Sequence, residues 1–290
     1  MQESCLFYIS CPKCARTLEL EVLDTSLEIE EGFLHCRYCN YSYPIISGIP
    51  ILLDDFVNYI SKRQILGGEL FQSSKNIKIR TFLKKSLLCA KKLHITQSNE
   101  QHWVDVYQNS VKSRFYSTIR RVLDKIPKTH LALEYGCSIG TISTYLAKKH
   151  ETVIGIDHSF YALQIARKNA LPNIHYLVGD ILNNPFGDLK FPIILGLNIL
   201  DIVEPKMFVD MVSKQIQTGT LLLSDPYDFK RGINSVNDIV DAYTLRKILR
   251  ANKFKITSTT VKPSMIPWIL KINSRIELKY FNDLILCKKL

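Results

Sequence analysis

Two groups of residues in this chain have the types and spacing to do chemistry. The first is a set of four cysteines, Cys11-Pro-Lys-Cys14 and Cys36-Arg-Tyr-Cys39, with 21 residues between the pairs. Two such knuckles put four thiolates on two tight turns, the donor set that suits a tetrahedral zinc ion. The separation exceeds the usual range of about 15–20 by roughly one residue, which a longer hairpin tip absorbs. A redox dithiol needs a single Cys-x-x-Cys beside a βαβ unit, and neither condition is met here. Four thiolates leave no open position for water, so the expected metal is structural, and His35 reads as a strand residue. The second group is the run LEYGCSIG, residues 133–140, with Asp157 placed 21 residues after Gly136 and a further acid at Asp180.

In that second group, Gly136 permits a sharp turn and Gly140 lets a following helix pack close to a ligand. Ser138 stands where a third glycine is expected. An acid at the end of the next strand, Asp157, can accept both hydroxyls of a ribose. A pyrophosphate would want an open helix N-terminus between glycines, whereas Glu134 before the loop suits a cation. Cys137 reads as packing, because no base lies beside it in the sequence.

The elements that must position these residues alternate along the second half. HLALEY, TVIGID, NIHYLVGD, FPIILGLN and TLLLSDP read as strands. IGTISTYLAKKH, SFYALQIARKNA (capped by Ser159), PKMFVDMVSKQI and NDIVDAYTLRKILRAN read as helices. FKITSTTV and IELKYFNDLILCKK close the pattern as a pair of strands. Such alternation implies a mostly parallel sheet covered on both faces, with ligands at the carboxyl ends of the strands. Around the cysteines, ARTLELEVLD and LEIEEGFLHC read as a hairpin. Between the two parts, ILGGELFQSSKNIKIRTFLKKSLLCAKKL reads as broken helix. From His102 onward, Trp103, Val106, Tyr107, Val111, Phe115, Ile119 and Val122 form one helical face, from which Tyr107 and Tyr116 could line a pocket.

Charge is unevenly spread. Residues 1–55 carry a net −6, residues 56–130 a net +11 and residues 131–290 a net +6. The basic middle fits a nucleic acid or anionic substrate, the solvated face of connecting helices, or a surface that docks the acidic N-terminal part. With 46% apolar residues the chain can bury a core. No apolar run reaches about 18 residues, and the opening MQESCLFYIS has no signal-peptide pattern, so no membrane partner and a cytoplasmic location are expected.

The run CPKC…CRYC followed by NYSYPIISGIPILL resembles the small zinc-ribbon proteins that activate tRNA, rRNA and protein methyltransferases. The resemblance covers about residues 5–54 and implies a methyltransferase partner, in this chain or another. The ensemble LEYGCSIG, VIGIDHS, VGDI and LLSDP resembles class I S-adenosylmethionine-dependent methyltransferases over about residues 100–290. That resemblance implies a Rossmann-like α/β fold with a seven-stranded, mostly parallel sheet, and S-adenosylmethionine as cofactor. Glu134, Gly136, Cys137, Ser138 and Gly140 would meet its methionine part, Asp157 its ribose, and Asp180 with Ile181 its adenine. His158 and Asn198 complete the cofactor-binding set. Three parts are expected: a zinc ribbon at 1–55 held by Cys11, Cys14, Cys36 and Cys39, a helical connector and cap at 56–128, and the methyltransferase domain at 129–290.

The acceptor should be chosen after the fourth strand, at GLNILDIVEP, and after the fifth, at DPYDF. No Asn/Asp-Pro-Pro-Tyr stands there. CSIG, NILDIVEP and DPYDF are similar to methyltransferases that N-methylate histidine-derived small molecules, the mercaptohistidine and carnosine enzymes. That similarity implies a small-molecule acceptor, with Asp201 orienting an imidazole or amine and Tyr227 positioning it as the catalytic pair. Asp201 could instead cap the helix near Pro205 or face solvent. RNA remains an alternative acceptor on the basic segment, and a non-catalytic methyltransferase-like binding module remains a third reading.

Overall fold

The computed structural model describes residues 1–90, 100–229 and 236–290. The N-terminal part is a meander of β1 (Glu19–Thr25), β2 (Ile29–Cys36), β3 (Tyr41–Ile46) and β4 (Ile49–Leu52), each antiparallel to the next. Ser47 and Gly48 turn β3 into β4 with φ of 49° and 70°, the paired positive values of a two-residue hairpin. Three helices follow: α1 (Phe56–Ser61), α2 (Gln64–Ser73) and α3 (Ile77–Ala90). Asp55 caps α1 by accepting from the Asn58 amide at 2.8 Å. Glu31, on β2, accepts from the amides of Lys75 and Asn76, each at 2.7 Å, and so ties the start of α3 to the meander.

The single helical face expected from Trp103 to Val122 is split between α4 (Glu100–Asn109) and α5 (Arg114–Leu123). Ser110 ends α4 by bonding its hydroxyl back to the Val106 carbonyl at 2.6 Å. Phe115, Ile119 and Leu123 then recur every fourth residue as the buried stripe of α5.

The second half runs β5 (Leu131–Tyr135), α6 (Thr141–Ala147), β6 (Thr152–Asp157), α7 (Phe160–Lys168), β7 (Ile174–Gly179), β8 (Ile193–Leu197), α8 (Pro205–Gln215), β9 (Gly219–Asp225) and α9 (Ala242–Ala251). It ends with β10 (Lys255–Ile256), β11 (Ile266–Lys271) and β12 (Glu277–Lys289). Every residue of β5 and β7 is buried, as expected of strands covered on both faces. Ser159 caps α7 by accepting from the Ala162 amide. α9 starts five residues later than NDIV suggested, because Asp241 is its cap and accepts from Thr244 at 2.6 Å.

The sheet order is β1-β2-β3-β4-β7-β6-β5-β8-β9-β12-β10, with β11 paired to β12. The expected count of seven strands therefore needs correction: the sheet has twelve. Seven of them, from β7 to β10, make the anticipated core. Four of the other five, β1 to β4, join because β4 pairs in parallel with the free edge of β7, Ile51 opposite Val178 and Leu52 opposite Gly179. That contact carries the meander into the same sheet and covers an edge that would otherwise be open. At the other end, β12 is long enough to pair with β9 through residues 283–289 and with β11 through 277–282.

Part of the charge asymmetry is consumed inside the molecule. Lys78 pairs with Glu21 at 2.5 Å and Lys75 with Asp24 at 3.4 Å, both joining α3 or its approach to β1. Arg167 of α7 reaches Glu30 at 2.7 Å. Among the described residues, no helix is long and apolar enough to cross a membrane.

Candidate functional site

A cavity of about 340 Å³ opens at the carboxyl ends of β5, β6 and β8. Glu134, Gly136, Cys137 and Ser138 line it from the β5–α6 turn, Asp157 and Ser159 from the end of β6, and Asn198, Ile199 and Ile202 from the end of β8. The cap supplies Glu100, Trp103, Tyr107 and Tyr116, and β11 supplies Trp268. Among the described lining residues there are three carboxylates and no Lys, Arg or His. Arg63, outside the lining, is ion-paired with Glu100.

The turn is built by left-handed backbone. Gly136, Ser138 and Gly140 have φ of 68°, 48° and 73°. A Cβ at Gly136 would stand 2.5 Å from Ile199, and one at Gly140 would stand 2.2 Å from the Tyr176 hydroxyl, so both glycines are required for space as well as conformation. Ser138 adopts the glycine-like conformation despite its side chain. Its amide donates to Asp157 Oδ2 at 2.8 Å, and the Ser159 amide donates to Oδ1 at 2.8 Å, so one carboxylate ties the two turns together.

Burial sets the electrostatics. Glu134 is 3% exposed, and desolvation pushes its carboxyl up to about 8 against the favourable hydrogen bond from the Ser143 hydroxyl. Asp157 is raised by the same cause, offset by its backbone donors. Cys137 is buried, and desolvation drives its thiol well above the ordinary range, which removes the thiolate a nucleophile needs.

Several residues singled out by sequence lie outside the cavity lining. Gly140 shapes the turn from behind. His158 packs edge-on to Tyr59 at 5.1 Å, and burial lowers its pKa. Asp180 and Ile181 follow β7, the neighbour of β6; Asp180 is exposed and accepts from the Leu182 amide at 3.0 Å, while Ile181 is buried. Asp201 is 6% exposed and sits in the turn after β8; the N-cap of α8 is Glu204. Tyr227, with φ of 58°, donates its hydroxyl to Asp283 Oδ2 at 2.8 Å. Asp283 also holds the buried Arg246 guanidinium through both carboxylate oxygens. Tyr227 thus belongs to a clip joining β9, α9 and β12.

Other residues were not visible from sequence. Asn198 Oδ1 accepts from Ser224 Oγ at 2.9 Å and from Asn282 Nδ2 at 2.5 Å, so two buried side chains on β9 and β12 fix the polar group at the end of β8. Trp268 enters from β11, whose alternation IPWILK was a signal available in the sequence.

The four cysteines come together as a separate centre. Their Sγ atoms all lie within 4.8 Å of one another, with Cys11–Cys39 at 3.7 Å and Cys14–Cys36 at 3.4 Å. Zn–S bonds of about 2.3 Å in a tetrahedron require edges of about 3.8 Å, so the donor set fits zinc. Tyr43 places its hydroxyl 3.2 Å from Cys11 Sγ. His35 is engaged elsewhere, with Ser42 at 2.8 Å and Glu21 at 3.0 Å.

Residues 132–217 match the family model described as a methyltransferase domain. An uncharacterised RNA methyltransferase of Leptospira interrogans is 30% identical over 66 residues, 21% of this chain and 17% of that protein. The chain therefore matches less than a fifth of the length of that relative. An uncharacterised methyltransferase of Alkaliphilus oremlandii is 25% identical over 174 residues, 53% of this chain and 79% of that protein. Among solved structures, a methyltransferase of Haloferax volcanii in complex with the Trm112 methyltransferase activator superposes with a TM-score of 0.52 at 14% identity, covering 66% of this chain and 98% of that one. That likeness concerns the fold.

Proposed function

We propose that this chain, which carries a class I S-adenosylmethionine-dependent methyltransferase domain, methylates a nitrogen of a small uncharged molecule, with an N-terminal zinc ribbon bracing the domain. The observation that carries this reading is the lining of the cavity: three carboxylates, a rim of aromatic rings and no cationic side chain among the described residues. A phosphate-bearing ligand would find no counter-charge there. A cofactor bearing an ammonium and a sulfonium would find Glu134 and Asp157. Bound S-adenosylmethionine supplies a methyl group on positively charged sulfur.

In this reading the chain's residues bind and orient. Asp157 accepts the ribose hydroxyls, and Asp180 with Ile181, on the adjoining strand end, flank the adenine. Gly136 and Ser138 let the backbone approach the methionine part, and Glu134 holds positive charge beside it. Gly140 and His158 support this surface from behind, and Asn198 presents its amide at the transfer end. A neutral nitrogen already carries the lone pair that attacks, so the site needs no base before methyl transfer. Among the described residues the lining contains no histidine or lysine to act as one. Asp201 and Tyr227 then act as supports of the acceptor-side turns, a departure from the catalytic roles expected from sequence.

The naming of the Leptospira relative as an RNA methyltransferase and the basic connector favour RNA as a second acceptor. Lys75 and Lys78 are already paired with the acidic meander, which weakens that reading. The ribbon's likeness to methyltransferase activators fits a module acting on the domain of its own chain, through β4 on β7.

The test is calorimetry with S-adenosylmethionine and S-adenosylhomocysteine. Micromolar binding by the wild type is expected, weakened at least about tenfold in Asp157→Ala through loss of charged hydrogen bonds. Absence of binding to folded protein would instead support a non-catalytic module.

A further inference from the structure

The cavity wall made by α4, α5 and β11 is mostly aromatic, with Trp103, Tyr107, Phe115, Tyr116 and Trp268 beside Glu100 and Val104. Tyr107 and Trp268 lie parallel within 6°, with centroids 6.2 Å apart. Phe115 meets Trp268 at 5.5 Å, and Trp103 lies 6.1 Å from Tyr107. Trp268 is 3% exposed, yet its indole N–H has no acceptor among the described residues. A buried donor in that state is costly, and a ligand group able to reach it would relieve that cost.

The hairpin also fixes where the indole sits. Ile266 on β11 pairs with Asn282 on β12, and Asn282 reaches Asn198 at the end of β8. Trp268 is two residues from Ile266 and so shares its face of the strand. The indole therefore belongs to the side of the cavity marked by Asn198, away from the Asp157 turn on β6. Two demands meet there. The aromatic wall favours a flat, apolar body. Positive charge on the acceptor would be repelled by a sulfonium and would consume the lone pair that attacks it.

We infer that Trp268 determines acceptor specificity, and that the acceptor is a flat nitrogen heterocycle, uncharged at the nitrogen that receives the methyl group, with a hydrogen-bond acceptor that takes the indole N–H. The inference rests on the methyltransferase reading above. It adds a residue and a chemical class to it.

Only two tryptophans occur in the chain, Trp103 and Trp268, and both line this cavity, so their emission reports on it alone. In Trp103→Phe the remaining signal comes from Trp268. The full chain is first saturated with S-adenosylhomocysteine, with binding verified by calorimetry. It is then titrated with benzimidazole, which has a ring nitrogen that accepts, and with indole, which has the same shape but none.

Benzimidazole is expected to change Trp268 emission saturably and, by calorimetry, which reads both rings without interference from the emission of indole itself, to bind about tenfold more tightly than indole, the scale set by leaving a buried donor unpaired. In Trp268→Phe that preference disappears, while affinity for S-adenosylhomocysteine stays within about twofold. Equal binding of the two rings by the wild type, or no binding of either, overturns the inference. A preference that survives in Trp268→Phe also overturns it. The wild-type comparison decides even if the variant fails to fold. If S-adenosylhomocysteine itself does not bind, the methyltransferase reading falls first, and the two failures are told apart.

Discussion

Glu134 is the residue whose environment does most to define the cavity. Its carboxyl titrates near 8 in the folded protein instead of its ordinary 4.5, because burial removes water from the charged form. Unfolding lets that group ionise at lower pH. The folded state therefore loses stability as pH rises from about 4.5 to about 8, and the loss is constant above that. Glu134→Gln, which retains the contact to Ser143, removes the slope. Thermal unfolding of the unliganded protein should show the variant melting higher than wild type at pH 8, with the difference shrinking towards pH 5. A bound cation favours the ionised form, so wild-type affinity for S-adenosylmethionine should rise with pH up to about 8, with proton release below it, and the variant should bind about tenfold or more weakly. Calorimetry in buffers of different ionisation enthalpy reads both; a pH-independent wild-type affinity would contradict the role. Ser138 shows the same interplay of conformation and contact. A non-glycine residue at φ 48° is strained, and the Ser138 amide bond to Asp157 offsets part of that strain. Sequence could show that a glycine was missing but not that serine would adopt its conformation, because that depends on where the Asp157 carboxylate comes to lie.

The elements divide into those governed by local pattern and those governed by partners far along the chain. β5, β6, β7 and β9, and helices α6 to α8, were legible because alternating buried strands and helical stripes are written locally. The division of α4 from α5 was not, since the apolar spacing runs on while Ser110 folds its hydroxyl back to Val106. β11 was missed for another reason. Its alternation is short, and only pairing with the long β12 makes it a strand. The polar clip at the base of that hairpin was also hidden, because Arg246, Asp283 and Tyr227 are distant in sequence and meet only after β9, α9 and β12 have packed. The position of Tyr227 in DPYDF suggested contact with an acceptor, and its hydroxyl is instead spent on Asp283. Burial first, and then the neighbouring carboxylate, push its pKa upward, so it is a donor held in place. Tyr227→Phe should lower stability by about 1–2 kcal/mol, the loss of a buried hydrogen bond to a charged group, and leave turnover within about threefold. Urea unfolding and single-turnover methylation separate these effects. A tenfold fall in turnover at unchanged stability would return Tyr227 to the catalytic role.

At the scale of the whole molecule, the four-cysteine centre and the cavity are joined by one continuous sheet. Cys36 ends β2, β2 pairs with β3, β3 with β4, and β4 with β7, whose neighbour β6 ends at Asp157. The residue before Cys11 is held against the domain as well, where the Ser10 amide donates to the Pro185 carbonyl at 2.7 Å. Ile45, Tyr43 and Cys36 bury their side chains in the same core as Ile156, Leu177 and Leu223, so the meander contributes to the domain's packing. If zinc occupies the four cysteines, its loss should consequently be felt as unfolding of the whole chain. Structural zinc sites supply folding free energy directly, and four crowded thiols without an ion lose the centre that fixes the knuckles. Cys11→Ser, or treatment with a zinc chelator, should lower the yield of folded protein and its melting temperature in one cooperative transition, with S-adenosylmethionine affinity of the surviving folded fraction within about twofold of wild type. Differential scanning calorimetry with and without chelator reads the first part, and titration of the soluble fraction reads the second. Two separate transitions would mean that the meander folds independently of the sheet it extends. An unchanged melting temperature with lost activity would mean that the metal centre serves the acceptor and not the fold.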